Sequence, residues 1–449
     1  MSKNKYEIDM CNGTIMDKLI SFSVPLMLSG ILQLMFNAVD IIVVGRFAGS
    51  QSLAAVGSTT ALINMFVNLF IGVSLGANVL AARFYASGKH KEMSETVHTA
   101  ITFAAISGVV MALIGVLMAK PALELMGTPD DVINLSTLYM RIYFLGMPFF
   151  MLYNYGAAIL RAVGDTKRPL MYLIIAGSTN AVLDLVLVII FKMGVAGVAI
   201  GTVTSQLISC ILVIRCLMTT ESDYKLRIRD LRIRKYYLLQ ILSVGLPAGI
   251  QSTVINFSNV LLQSSVNSFG EIAMAGYTAA NNILGFLYVS VNSITQACMS
   301  FTSQNYGVRK FKRMDKVLID CMILSVIVSV VIGGGSYILG RQILGIYTNQ
   351  SEVIECGMEI LSISTIPYFL CGIMDMLPGA MRGVGYSAVP MVLSIVGTVG
   401  TRLVWIYGVF PSHRSLYELF ISYPASWFIT IVMQAICLVF VRKKVRNKE

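Results

Sequence analysis

Oxygen-bearing side chains that can hold a proton or a small cation occur here deep inside hydrocarbon sequence. Asp40, in the stretch NAVDIIVVGR, is the only residue with a formal charge between Leu19 and Val44. A second stretch, NAVLD, sets Asn180 and Asp184 four residues apart and so on one face of a helix. Asp40 lies six residues before Arg46, Asp184 eight before Lys192, and Thr202 eight after Gly194. At the helical rise these spacings put the carboxyls about 9 and 12 Å from one polar boundary, with Thr202 at about 12 Å. Two carboxyls, an amide and a hydroxyl can therefore meet in one layer. Two acids close together in a low dielectric do not both stay ionised without a counter-charge, and neither has a Lys or Arg within one turn. They must share a proton or hold a cation, and the oxygens present suit Na+ at Asp40, Asn180, Asp184 and Thr202. The bland reading is a hydrogen-bonded packing contact. Asp375, seven residues before Arg382 and nearer the opposite boundary, reads either as a substrate contact or as a group with a local partner.

The elements that position these residues are membrane-spanning helices. The chain is 56% hydrophobic and 13% charged, against about 25% charge in a soluble domain. Twelve apolar windows are each long enough to cross the bilayer: 19–44, 55–82, 96–119, 133–158, 169–191, 195–217, 238–266, 276–303, 317–340, 354–380, 390–410 and 416–440. The first is too long for the core of a signal peptide and is expected to stay in the mature protein. Of the 34 Lys and Arg residues, 27 fall on the side of the N-terminus and seven on the other side or within spans. That asymmetry places both termini in the cytoplasm. It also accounts for the net charge of +11 by anionic headgroups, with no nucleic acid. The basic runs KLRIRDLRIRK and RKFKRMDK serve as orientation signals. The eight cysteines are scattered and read as packing residues; His90, His98 and His413 are too few for a metal centre, and there is no P-loop.

An internal repeat organises the spans. Residues 20–220 overlay 241–440 at an offset of 221 or 222, bringing Pro25 onto Pro247, Asn37 onto Asn259, and LRAVGDTKRP onto MRGVGYSAVP. Each R-x-V-G-x4-P element predicts a helix end, with the Arg on the last carbonyls, the Gly left-handed, and the Pro opening the next helix. Six spans per repeat give both halves the same orientation, so substrate sites are expected between two rocking bundles around a central cavity. The fold class is thus all-α and integral to the membrane, with twelve transmembrane helices in two pseudo-symmetric six-helix bundles. The expected divisions are a tail at 1–18, lobes at 19–217 and 238–440, a basic linker at 218–237, and a tail at 441–449. Polar stripes mark cavity-facing helices: Gln33 and Asn37 with Asp40; Asn64 and Asn68; Asn256, Asn259 and Gln263; and Asn281, Tyr288 and Asn292. Opposite Asp40, Asn180 and Asp184 the second repeat has Leu262, Thr401 and Trp405, so the acid cluster is one-sided.

VDIIVVGRFAGSQSLAAVG (39–57), LRAVGDTKRP, NAVLD and GVAGVAIGTVTSQ (194–206) together resemble the multidrug and toxic compound extrusion (MATE) family over essentially the whole chain. The resemblance implies cation-coupled efflux by alternating access, with no enzymatic activity and no cofactor beyond a coupling ion, H+ or Na+. The DinF-like branch has its cation site in the first lobe. Its residues carry over onto Asp40, Asn180, Asp184 and Thr202, with Tyr139 and Asn154 nearby. The NorM-like branch uses an acid in span 7, where this chain has Gln251 and Asn256 but no Glu or Asp. The implied partners are small organic cationic or amphiphilic substrates and anionic lipid headgroups. The implied setting is a monomer in a bacterial cytoplasmic membrane. A flippase for lipid-linked precursors is the alternative. It would need several cavity arginines, for which Arg83, Arg141 and Arg402 are the candidates.

Overall fold

The structure is a computed structural model and describes residues 6–412 and 414–447, so His413 lies outside the described residues, as do the ends of both expected tails. Among the described residues the regular structure is helical throughout, as a bilayer demands of a chain that must satisfy its backbone polar groups internally. Ten helices are long and apolar enough to cross a membrane. The number rises to twelve when each of two bent pairs is counted as one span.

The first compact unit comprises residues 1–8 and 28–246. It holds the second half of α1 (Met16–Val43), then α2 (Ser50–Ala86), α3 (His90–Leu125), α4 (Ile133–Leu145), α5 (Met147–Ala162), α6 (Lys167–Leu185), α7 (Gly194–Thr219) and the start of α8 (Lys235–Asn267). Helices α4 and α5 form one of the bent pairs, turning 44° at Gly146. Pro148 follows and cannot donate to the preceding turn. α2 and α8 meet backbone to backbone: a Cβ on Gly76 would fall 2.0 Å from the Ile241 carbonyl oxygen, and one on Gly245 2.3 Å from that of Val73. In a membrane, where apolar burial does not drive helices together, such close approach supplies the packing.

The second unit comprises residues 9–27 and 247–449. It holds the first half of α1, the rest of α8, α9 (Glu271–Gly307), α10 (Phe311–Val328), α11 (Gly334–Ile338), α12 (Gly340–Tyr347), α13 (Ser351–Thr365), α14 (Tyr368–Gly383), α15 (Ala388–Ser394), α16 (Thr401–Val404) and α17 (Leu416–Arg446). Helices α13 and α14 are the other bent pair, turning 46° at Pro367. The units therefore divide α1 and α8 close to Pro25 and Pro247, each a position that lacks an intrahelical donor. These divisions differ from lobes cut at 19–217 and 238–440.

The repeat survives in three dimensions. α2 and α9 are both 37 residues long and start 221 positions apart, and α5 and α14, both 16 residues, do the same. Gly164 and Gly385 take left-handed φ values of 95° and 93° at the two R-x-V-G turns. Arg382 is engaged away from the last carbonyls of its helix, donating from Nη2 to Gln251 Oε1 at 2.6 Å.

The polar N-terminal segment, uninformative in sequence, is tied down. In the first unit Glu7 accepts hydrogen bonds from Tyr85 (2.8 Å) and Tyr224 (2.9 Å). In the second, Met10 is fully buried and its carbonyl accepts from Asn305 at 3.1 Å.

Candidate functional site

Four helices of the first unit build an acidic cluster. α1 delivers Asp40, and the chain passes into a π-helical turn at Val44–Ala48 four residues later. α6 delivers Asn180 and Asp184 and then turns π-helical at Val186–Ile190. Such turns insert an extra residue and re-aim the side chains around them, which is why they recur at functional positions. Both acid-bearing helices carry one on the same side of the acid.

The Asp40 and Asp184 carboxyls lie against each other, with the Asn180 amide beside Asp184. Asp184 is fully buried and Asn180 nearly so, while Asp40 is half-buried. α7 closes the cluster with bare backbone: a Cβ on Gly201 would lie 2.2 Å from Asp184 Oδ1 and 3.5 Å from Asn180 Nδ2. Both Asp184 oxygens, Asp40 Oδ1 and Asn180 Nδ2 are buried without a hydrogen-bond partner. Buried polar atoms are rarely left so. The three carboxyl oxygens have the Asn180 amide beside them and, among the described residues, no cationic side chain, an acceptor-rich set that a proton or a small hard cation completes.

Tyr139, buried on α4, lies near both carboxyls. Tyr143, one turn on, lies beside Asp40 and Gln206. Sequence reasoning named Tyr139 but missed Tyr143, Gln206 and Gly201. The signal was present: Tyr143 is four residues from Tyr139 and Gln206 four from Thr202, each on a face already marked. Thr202 gives its hydroxyl proton to the Val198 carbonyl at 3.0 Å, leaving only its lone pairs to offer. Asn154 donates to Phe150 O at 2.8 Å on its own helix. Gln33, Asn37 and Asn64 are exposed, and Asn68 is half-buried.

The second unit is different in kind. Leu262 is buried, and Trp405 donates to the Glu418 carbonyl at 2.8 Å, so the repeat-equivalent positions carry no acid. Asp375 is half-buried near Tyr288, Tyr368 and Cys371, and feels the charge of Arg382 without forming an ion pair with it. It has the local cationic neighbour that the acids of the first unit lack. Several stripe residues are already engaged. Asn259 accepts from Arg402 Nη1 at 2.8 Å, Gln263 donates to Asn267 at 3.0 Å, and Gln296 to Asn292 at 3.0 Å. Asn256, Asn281 and Tyr288 are exposed.

A multi-pass helical membrane protein with a duplicated six-span plan and a buried acid cluster has the architecture of a membrane transporter. Comparison with known proteins gives the family. The MatE family model matches twice, at residues 25–186 and 247–407, which together are more than half the chain and repeat at the offset read from the sequence. The probable multidrug resistance protein YoeA of Bacillus subtilis (strain 168) is 30% identical over 423 residues, 92% of this chain and 91% of that protein. The multidrug export protein MepA of Staphylococcus aureus (strain NCTC 8325 / PS 47) is 21% identical, covering 84% of each chain. A solved structure described as the outward-facing conformation of a multidrug resistance MATE family transporter superposes with a TM-score of 0.90 at 20% identity. It covers 99% of this chain and 100% of that one. The chain belongs to the MatE family: it is a MATE transporter, and not an enzyme.

Proposed function

We propose that the protein exports organic cations or amphiphilic drugs across a bacterial cytoplasmic membrane in exchange for H+ or Na+ moving inward. The coupling ion is held in the N-terminal lobe by Asp40 and Asp184, with Asn180 and Thr202 contributing oxygens and Tyr139 flanking them, in the manner of the DinF-like branch. Both termini and the 218–237 linker face the cytoplasm. The observation that carries this reading is the pair of adjoining carboxyls whose buried oxygens, among the described residues, make no hydrogen bond and have no basic residue beside them. An ion that binds one conformation better than the other biases alternating access, and a substrate that competes for the same state is driven out by it. The names of the relatives, multidrug resistance and multidrug export proteins, support the substrate class.

One proton crossing about 100 mV and one pH unit releases about 3.7 kcal/mol, enough for a substrate ratio of several hundred. The test is efflux of a fluorescent organic cation from proteoliposomes under imposed proton or sodium gradients. Export is expected to follow one gradient and to ignore ATP. Efflux that persists when both gradients are collapsed, or movement of a lipid-linked precursor in its place, overturns the proposal.

A further inference from the structure

The second unit contains a buried charge that the coupling site does not use. Arg402 is 3% exposed and sits in α16 between two π-helical turns, Ile395–Gly400 and Trp405–Val409. Its neighbours are neutral. Nη1 donates to Asn259 Oδ1 at 2.8 Å, Nε makes a long contact to Ser426 Oγ at 3.4 Å, and the guanidinium lies over the Tyr423 ring at 4.2 Å. Tyr277 and Cys371 complete the surroundings. Among the described residues no carboxylate pairs with Arg402, and Nη2 donates to nothing. Asp375, an acid within a span of this unit, feels the charge of Arg382 and not that of Arg402. At the repeat offset Arg402 falls on Ala181, between Asn180 and Asp184. Where one repeat carries acids without a base, the other carries a base without an acid.

An unpaired guanidinium in a low dielectric is costly, and an uncharged amide and a ring face offset only part of that cost. A carboxylate offsets more, through two parallel N–H···O bonds from the fork. We propose that Arg402 is the anchor of a substrate subsite that takes the carboxylate of an amphiphilic zwitterion. This rests on the export reading above and extends it: the cargo includes molecules bearing an acid as well as a cationic group. The approach is along α8. Asn256 is exposed, and Asn259, one turn further on the same face, is half-buried and bonded to Arg402. An incoming carboxylate displaces the Asn259 oxygen from Nη1 and takes up the unused Nη2. Half-buried Tyr423, backed by the buried rings of Phe420 and Tyr277 at 6.0 and 5.6 Å, is held in place beside the guanidinium.

The experiment compares a zwitterionic rhodamine carrying a free carboxylate with its cationic methyl ester, by fluorescence polarisation on purified full-length protein. Wild type is expected to bind the acid about tenfold more tightly than the ester, the ratio for one net charge-assisted hydrogen bond. Arg402→Gln is expected to erase that ratio and leave the ester affinity unchanged. Arg402→Lys, which keeps the charge but not the fork, is expected to fall between. Equal loss of both ligands in Arg402→Gln would make Arg402 a packing brace and overturn the proposal. So would a wild type that binds the ester as tightly as the acid, a measurement that needs no variant and holds even if Arg402→Gln does not fold. An ester that binds but is not exported under any ion gradient would overturn the export reading alone, because the Arg402 comparison is read from equilibrium binding.

Discussion

Gly201→Ala tests the coupling site from its backbone side. The added methyl would lie 2.2 Å from Asp184 Oδ1 and 3.4 Å from its Cγ, so the carboxyl must withdraw by about 1 Å to restore ordinary packing distances. Moving that oxygen about 1 Å means turning the Asp184 side chain by roughly 30°, which costs on the order of 0.5–1.5 kcal/mol off its rotamer. Alanine also returns about 1 kcal/mol of helix propensity relative to glycine, so overall stability is expected to change little. The ion, however, must pull the carboxyl back against the methyl. Its affinity is expected to fall by about 2- to 10-fold, which is that rotamer cost converted to a ratio. The assay is substrate affinity of purified protein titrated with sodium and with pH, alongside thermal unfolding. Gly57→Ala is the control, since a methyl there meets nothing within 4 Å. The ion-response midpoint of Gly201→Ala should move to higher sodium or to lower pH while that of Gly57→Ala stays. An unchanged midpoint for Gly201→Ala would mean that Asp184 is not an ion ligand.

Asp40→Asn is expected to fold at least as stably as wild type, because it removes a charge from the membrane interior, and to bind substrate with no response to sodium or pH. Asp375→Asn, by contrast, is expected to keep the wild-type ion response in the same titration, since that acid has the positive charge of Arg382 in its surroundings. Thr401→Val and Trp405→Phe, at the repeat-equivalents of Asn180 and Asp184, should also leave the ion response intact; loss of coupling from either would show that the site is not confined to one repeat. Gly76→Ala should lower stability by about 3 kcal/mol or prevent folding, because the 2.0 Å clash is with the Ile241 carbonyl, which cannot rotate away. Thermal unfolding measures it. Gly164→Ala, at φ 95° with a Cβ 2.6 Å from the Ile8 backbone, should free the N-terminal segment and speed its proteolysis.

The twelve spans were legible because a bilayer leaves one local solution for the backbone, and the repeat was legible because proline, glycine and arginine mark the same turns twice. The bent spans were not predicted, although Pro148 and Pro367 stand at the bends. The grouping of the first half of α1 with the second repeat was hidden altogether. Apolar stretches such as 16–27 carry no address, and which neighbours bury them is a tertiary outcome. The tail was opaque for the same reason. Glu7 finds its donors at Tyr85 and Tyr224, 78 and 217 residues away.

For the site, charge was the informative signal and geometry the missing one. A carboxyl or guanidinium in a hydrocarbon sequence stands out one residue at a time, which is how Asp40, Asp184, Asp375 and Arg402 came to notice. What each charge is for depends on its neighbours. Asp375 and Arg382 lie close enough to feel each other's charge, so each has an opposite charge in its surroundings. Among the described residues Asp40 and Asp184 have no cationic neighbour, and Arg402 has only neutral groups around it. Packing alone gives no reason to keep an uncompensated buried charge, since an apolar residue of similar volume would be at least as stable there. On the reading proposed above, charges kept in both repeats, with opposite sign, recover their cost from ligands that come and go. The acids of the first repeat fit the coupling ion, and the guanidinium of the second fits an acid brought by the cargo.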